Sequence, residues 1–207
     1  MEQLKVDFNK VIKSLKISEK SINYRKENFN QFVENGFPNK RVEDWKFSDL
    51  NQIISSNIEN LRFHTDFEIS EIDETTFIDK FAHNKIIFLN GVISKVDFSF
   101  EDDTKVLITR DLNQNENSKE VNSLVSLNNA LIASYIRVTV KENYSMNEPL
   151  IIYNITTKEI KSTAINLKTD IILEKNSSLK LIDLFDDNSE NNFINIVQNF
   201  DIAQDAI

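Results

Sequence analysis

Gly36 to Phe47 read G-F-P-N-K-R-V-E-D-W-K-F, and this stretch decides how the front of the chain folds. It holds one of the two glycines, one of the two prolines and the single tryptophan of a 207-residue chain. Glycine and proline are the residues that most strongly interrupt regular structure, so their placement two positions apart predicts a turn on which the fold depends. We call residues 36–47 the Trp45 segment.

The residues before the Trp45 segment predict two helices packed as a hairpin. Apolar residues recur at three- and four-residue steps over residues 2–35, which gives each helix one apolar face. Ser18 stands where the second helix needs an N-cap, and Gly36 stands where that helix needs a C-terminal residue with positive φ. Pro38 prevents the helix from continuing, and a further short helix is expected around Asp44–Ile54.

The residues after the Trp45 segment predict mainly strands. The run K-I-I-F-L-N-G-V at residues 85–92 predicts a strand, an Asn-Gly turn and a second strand. Ser123–Ala133 has helical spacing. Strand-like runs then follow with polar connectors between them, at residues 135–141, 150–156, 164–173, 179–185 and 193–202. Their spacing is compatible with a β-sandwich, a meander or a parallel β-solenoid, and periodicity alone does not choose among them.

Asparagine is expected to replace glycine in these connectors, because no glycine follows Gly91. The short amide side chain tolerates the left-handed region of backbone space better than other residues do. The candidate positions are Asn143, Asn147, Asn176, Asn188, Asn191 and Asn192.

Composition limits the class of protein. The chain has a net charge of −9, which disfavours a nucleic-acid partner bound through its phosphates. It has no cysteine, so disulfides, thiolate metal ligands and cysteine nucleophiles are excluded within it. The start has no signal-peptide pattern and no window is apolar enough for a membrane span, so a cytoplasmic location is expected.

No catalytic, cofactor-binding or metal-binding residue is predicted. His64 and His83 lack a partner at metal-ligand spacing, and we expect structural or surface roles for both. The acidic runs are typical of solvated faces, and Gly-rich phosphate loops and G-x-S-x-G elbows do not occur. Trp45 is interpreted first as a packing residue with Arg41, Glu43 and Lys46 as its exposed neighbours.

Several stretches, in order, resemble the SufB/SufD family, and specifically SufD. Arg25 and Phe29 followed by the Trp45 segment and Ser48–Leu50 look like the family's N-terminal signature. Within that signature Gly36, Pro38, Arg41, Glu43, Trp45 and Lys46 match, and we expect them to act structurally. Later resemblances are Ile86–Gly91, Leu127–Leu131, Ile136–Val138, Glu148–Ile152, Thr169–Leu173 and Leu179–Ile182.

The resemblance implies a fold class and a domain plan. It implies an α+β chain in which an N-terminal helical region and a mixed segment lead into a parallel right-handed β-helix, a solenoid that is cut short. The implied domains are a helical domain at 1–60, a mixed α/β connecting region at 61–122 and the start of the β-helix core at 123–207. Since SufD-like proteins continue well beyond this length, the chain is expected to represent only the family's N-terminal half.

The resemblance also implies a role. A SufD-like chain would be a non-catalytic scaffold subunit in iron–sulfur cluster assembly, with a SufB-like scaffold and a SufC-like ATPase as partners. The chain alone would bind no cofactor, because iron–sulfur clusters prefer thiolate ligands and the complex would have to hold the cluster. Residues after Thr169 are expected to support self-association through the open end of the β-helix.

Two other functions remain compatible with the residues. One is a β-solenoid interaction module unrelated to iron–sulfur chemistry. The other is a carbohydrate-active enzyme on a β-helix, which would need acids clustered on one sheet face, whereas the acids here are scattered.

Overall fold

The computed structural model describes residues 2–63, 77–113 and 122–207. Within these ranges there are four α-helices, one 3-10 turn at Glu43–Trp45 and eight strands. The helices are α1 (Glu2–Ser14), α2 (Glu19–Asn35), α3 (Leu50–Asn57) and α4 (Ser123–Leu131). The strands are β1 (Asn84–Leu89), β2 (Val92–Asp97), β3 (Val106–Thr109), β4 (Tyr135–Val140), β5 (Leu150–Thr156), β6 (Ala164–Leu173), β7 (Leu181–Asp187) and β8 (Phe193–Ile202).

The first two helices form where the apolar spacing predicts them. Ser18 caps α2 by accepting the backbone N–H of Ser21 at 3.3 Å. Phe8 of α1 stacks on Phe29 of α2 with ring centroids 4.2 Å apart, so the two apolar faces meet. At the end of α2, Gly36 adopts a φ of 67° and donates its N–H to the carbonyl of Phe32.

The Asn-Gly turn forms as predicted. Asn90 and Gly91 both have positive φ, 51° and 88°, as a tight hairpin turn between right-twisted strands requires. The hairpin pairs β1 and β2 antiparallel. Its position matters for the rest of the fold, because β1 also pairs in parallel with β5 on its other side.

The strands divide into two four-stranded sheets. Sheet 1 has the order β2-β1-β5-β7, and sheet 2 has the order β3-β4-β6-β8. In each sheet the first pair is antiparallel and the next two pairs are parallel. From β4 onward, strands that follow each other in sequence lie in different sheets.

The prediction of a parallel right-handed β-helix cut short is wrong, although the chain is α+β. Strand pairing in the described residues is that of two separate mixed sheets, neither closed nor solenoidal. The reason lies in β2 and β3, which run antiparallel to β1 and β4 and give each sheet a mixed edge. Apolar periodicity identifies strands but not their partners, because pairing depends on contacts between residues far apart in sequence.

A single apolar core joins the two sheets. It contains buried side chains from both sheets, for example Phe88 of β1, Ile152 of β5, Val138 of β4 and Ile171 of β6. A second cluster joins α1 and α2 to α4 and to Ala164 at the start of β6. The helices therefore pack against the start of sheet 2. The division into domains at 1–60, 61–122 and 123–207 stays a prediction.

Asparagine does replace glycine in part of the connectors. Asn143, Asn176 and Asn191 have φ between 54° and 61°, as expected. Asn147, Asn188 and Asn192 are not among the residues with positive φ, and they act instead through their side chains. Asn192, for example, accepts the N–H of Thr163 and donates to the carbonyl of Ile160. The expectation is therefore right for three of the six positions.

The two glycines provide a matched pair of substitutions. Both have positive φ, but a Cβ at Gly36 would meet nothing within 4 Å, whereas a Cβ at Gly91 would lie 2.8 Å from Cγ2 of Ile165. We expect Gly36→Ala to lower the free energy of unfolding by about 1–2 kcal/mol through the strained φ alone. Gly91→Ala should cost roughly 1–3 kcal/mol more, because overpacking is added. Urea denaturation of the two variants measures the difference, and equal losses would contradict the contact with Ile165.

Candidate functional site

The Trp45 segment turns the chain from α2 into α3. Pro38 is buried, and its carbonyl accepts the N–H of Asn51 at 3.1 Å, which ties the turn to the first turn of α3. The carboxylate of Asp49 caps α3 by accepting the N–H of Gln52. These contacts explain why a Gly and a Pro stand here: the backbone needs a positive φ and then a fixed bend.

Phe37 links the Trp45 segment to the second half of the chain. Its ring meets Phe32 of α2 edge-on at 5.1 Å and Phe193, the first residue of β8, at 5.4 Å. Aromatic pairs in this geometry are worth roughly 0.5–1.5 kcal/mol beyond the area that they bury. Phe37 therefore packs the Trp45 segment against both α2 and β8.

The remaining matched residues of the segment lie at the surface. Arg41, Glu43 and Lys46 are exposed, and Trp45 is half-buried. Glu43 and Lys46 form an exposed ion pair at 3.4 Å, of the kind that contributes little to stability. Phe47 is 88% exposed and Val42 is 45% exposed, so the segment presents apolar surface as well as charge. The structural role expected for the six matched residues stays a prediction.

Arg25 is the group that sequence reasoning left out of the candidate site. It is fully buried in α2, and Nη1 donates to the carbonyl of Ile132 at 2.8 Å and to that of Ala130 at 3.3 Å. Those carbonyls belong to the C-terminal end of α4, where backbone acceptors have no partner within the helix and attract a cation. Burial lowers the pKa of Arg25 to about 10.

A layer of buried amides continues from Arg25 toward sheet 2. Asn129 of α4 donates to Asn28 of α2 at 3.3 Å and accepts from the ammonium of Lys168 of β6 at 3.1 Å. Its neighbour Asn128 donates to the carbonyls of Leu167 and Asn195, on β6 and β8. Breaking these buried hydrogen bonds would leave more polar groups without partners, so the contacts fix the position of α4 on the sheet.

The outer face of sheet 2 carries a second buried cluster, around Asp170. The carboxylate accepts hydrogen bonds from the hydroxyl of Tyr135, from Arg137 at 3.0 Å and from the amide of Asn199 at 2.8 Å. Arg137 and Asn199 are the residues that face Asp170 on the neighbouring strands β4 and β8. The cluster therefore forms one polar row across three strands.

Hydrogen bonding decides the charge of Asp170. Burial raises the pKa of its carboxyl, but hydrogen bonds from Tyr135, Asn199 and Arg137 together outweigh burial and hold that pKa below its usual value. The group is therefore an ionised acceptor at neutral pH with its oxygens engaged. The Asp170 carboxylate therefore joins strands as an acceptor and does not act as a proton donor.

Glu101 likewise joins separate chain segments as a hydrogen-bond acceptor, at the end of sheet 1. Its carboxylate accepts from the amide of Asn84, the hydroxyl of Tyr144 and the backbone N–H groups of Asn147 and Glu148. Burial raises the pKa of Glu101, and the four hydrogen bonds outweigh it and lower the pKa overall. Glu101 thereby joins the start of β1 to the connector between β4 and β5.

His83 is buried in a local network, and His64 lies outside the described residues. Nδ1 of His83 is 2.9 Å from the carbonyl of Phe81 and must donate, because a carbonyl can only accept. In the neutral imidazole Nε2 then accepts from the hydroxyl of Tyr153 at 2.8 Å, and that oxygen accepts the N–H of Ile78. All the polar atoms in this chain of contacts have partners, as a structural role for His83 requires.

Among the residues that the structure describes, no group of three or more His, Cys, Asp or Glu side chains is placed to hold a metal ion. None of the described helices has the length and apolar content to cross a bilayer. The charged clusters around Arg25, Asp170 and Glu101 connect structural elements to each other, and the Trp45 segment presents exposed charged and apolar side chains.

The first part of this chain matches the model of a known protein family. Residues 3–91 match the family described as the SufBD protein N-terminal region, from α1 to the turn after β1. The match makes fewer than half of the chain's residues similar to the SufB/SufD family, and it does not distinguish SufD from SufB. No curated protein matches the chain.

The contribution of Arg25 is measurable. We expect Arg25→Ala to lower the free energy of unfolding by about 2–4 kcal/mol, because two carbonyls at the end of α4 lose a charged donor and a cavity remains. The matched control is Lys26→Ala, which removes an exposed cation from the adjacent position of α2 and should change stability by less than about 0.5 kcal/mol. Equal effects of the two variants in urea denaturation would show that Arg25 does not fix α2 to α4.

The Asp170 cluster predicts a pH dependence. The folded-state pKa is depressed below the unfolded value of about 3.8, so the stabilisation is fully present above that value and is lost as pH falls through the folded pKa. The stability difference between the wild type and Asp170→Asn should therefore be constant from neutral pH down to about pH 5 and shrink below about pH 4. Asp201→Asn, an exposed carboxylate of β8, is the control. A difference that grows as pH falls would refute the assignment.

Proposed function

We propose that this chain, whose residues 3–91 match the SufBD protein N-terminal region, is a non-catalytic scaffold subunit in iron–sulfur cluster assembly, of the SufD type. The family match is the observation that carries the proposal. The SufD assignment is supported by the signature residues from Gly36 to Lys46 and by the later Leu-Asn-x-Ala stretch at residues 127–130.

A scaffold role is supported by the contacts of these matched residues, which connect the helices to the sheets. Arg25 and Ala130, both within stretches that resemble the family, are in hydrogen-bond contact in the interior. Pro38 is hydrogen-bonded to α3 and Phe37 is packed between α2 and β8. Residues that recur in the resemblance thus fix the helices to the sheets, and a scaffold requires such fixed placement of its surfaces.

The iron–sulfur cluster itself is assigned to the assembled complex and not to this chain alone. Iron and nascent iron–sulfur clusters prefer thiolate ligands, and this sequence contains no cysteine. We therefore propose that the chain alone binds no cofactor and that a partner supplies the cluster ligands. The proposed partners are a SufB-like scaffold and a SufC-like ATPase, in the cytoplasm. The net charge of −9 supports a protein partner over a nucleic acid.

The proposal is tested by co-expression. We expect the tagged chain, expressed together with the SufB-like and SufC-like proteins of the same source, to recover both on affinity purification. Anaerobic reconstitution with iron and sulfide should give visible charge-transfer absorption in the recovered complex and none in the isolated chain.

Two outcomes of this experiment would overturn parts of the proposal. Recovery of neither protein, while an identically tagged acidic control also recovers neither, would reject the proposed partners. A cluster bound stoichiometrically by the isolated chain would reject the assignment of the cluster ligands to a partner.

A further inference from the structure

Residues 77–83 lie against the face of sheet 1 that points away from the core between the sheets, and we call them the strap. Side chains alternate along a strand, so the neighbours of each core residue in β1 and β5 point to this opposite face. Phe77 and Ile78 of the strap pack against it. The buried residues of the face are Ile87, Leu89, Ile151, Tyr153 and Ile155.

Side chains attach the strap to the sheet. Among the described residues, no backbone-to-backbone hydrogen bond joins the strap to a strand, and such bonds begin at Asn84, which donates its N–H to the carbonyl of Pro149. The backbone N–H of Ile78 is instead donated to the hydroxyl oxygen of Tyr153 at 3.2 Å. The ring of Phe77 meets the Tyr153 ring edge-on, with centroids 5.0 Å apart. A single tyrosine of β5 thus holds the start of the strap.

His83 attaches the other end of the strap to the same hydroxyl. Its side chain is buried, and Nε2 lies 2.8 Å from the hydroxyl oxygen of Tyr153. Because Nδ1 donates to the carbonyl of Phe81, Nε2 of the neutral ring accepts the hydroxyl hydrogen. We propose that the strap is an acid-sensitive device, which lies on sheet 1 while His83 is neutral and leaves the sheet when the imidazole takes up a proton.

A proton on His83 leaves this arrangement one acceptor short. Both nitrogens of an imidazolium are donors, so Nε2 can no longer accept the hydroxyl hydrogen of Tyr153. Among the described residues, Tyr153 has no other hydrogen-bond partner than His83 and Ile78. Burial raises the pKa of Tyr153, so the phenol keeps its hydrogen. The protonated state therefore combines a buried cation with an unpaired buried donor, and release of the strap into water relieves both.

The charges around the strap do not offset that cost. Within the described ranges, no carboxylate forms an ion pair with His83. Lys85 lies over the Phe77 ring, with Nζ 5.8 Å from the ring centre, and a second cation beside the strap disfavours a buried imidazolium. The charged groups on the elements around His83 are Asp79 and Lys80 of the strap, Lys85 of β1, Lys95 and Asp97 of β2, Asp186 of β7, and Glu101, which bonds Asn84.

The backbone N–H of Ile78 reports directly on the attachment, because its acceptor is the Tyr153 oxygen. Its protection is measured by hydrogen exchange of the isotopically labelled full chain, followed by NMR and corrected for the intrinsic pH dependence of exchange. We expect this protection to fall by about tenfold or more between about pH 8 and about pH 5, the range in which histidine changes charge. The amides of residues 86–89 in β1 should keep their protection.

Three variants separate the charge of His83 from its packing. His83→Gln cannot take up a proton but keeps a side-chain amide that donates and accepts, so the protection of Ile78 should be the same at both pH values. His64→Gln removes the other histidine of the sequence, and as the matched control it should respond to pH like the wild type. Tyr153→Phe removes the acceptor, so Ile78 should be weakly protected at both pH values.

Each contrary outcome rejects the device. Unchanged protection of Ile78 in the wild type would show that the strap stays on the sheet in acid, and an equal loss at residues 86–89 would show that the sheet itself unfolds. A pH response that persists in His83→Gln, or that disappears in His64→Gln, would assign the response to another group.

The wild type decides the matter even if His83→Gln does not fold. The chemical shift of the His83 ring protons and the protection of Ile78 must then change with the same midpoint, and different midpoints would exclude His83 as the cause. The strap does not depend on the iron–sulfur role, so the failure of either leaves the other standing.

Discussion

The burial of one guanidinium, that of Arg25, is the constraint on which the placement of the helices depends. A buried cation requires acceptors, and Arg25 finds them in the carbonyls of Ala130 and Ile132, where α4 ends. Those carbonyls need a donor for the same reason, since the end of a helix leaves its last acceptors without partners. Nη1 of Arg25 satisfies both carbonyls, whereas Nε and Nη2 are buried without a hydrogen-bond partner among the described residues. Movement of α2 relative to α4 would therefore break the hydrogen bonds that the buried guanidinium makes.

Much of the local structure could be predicted from the sequence because its signals are local. Ser18 caps α2, Asn90 and Gly91 turn the first hairpin, and the bounds of β5, β6 and β8 agree with the strand-like runs. In each case the physical cause lies within a few residues: an oxygen that reaches an N–H three positions on, a backbone that tolerates positive φ, or an alternating apolar pattern.

The arrangement of those strands could not be predicted, because it depends on contacts between distant residues. The Asn-Gly turn predicts the antiparallel pairing of β2 with β1, but no such signal stands near β3, which pairs antiparallel with β4. The sequence does not show which strands then add to these hairpins, and the expected β-helix was wrong for that reason. Arg25 reads as an ordinary cation of a helix, although its partners lie 105 and 107 residues away. Asp170 has its side-chain partners 29 to 35 residues away on β4 and β8. Of the candidate site, the sequence therefore indicated the Trp45 segment and missed the buried clusters.

The buried amides explain how one molecule can hold two surfaces in a fixed relation. An apolar contact between α4 and sheet 2 would tolerate sliding, because apolar attraction has no direction, whereas the hydrogen bonds of Asn128 and Asn129 to β6, β8 and α2 are satisfied in one register only. Phe37 adds a contact from the Trp45 segment to Phe193 at the start of β8. The Trp45 segment is thus in direct contact with the start of β8, and the polar layer fixes α4 between α2 and sheet 2.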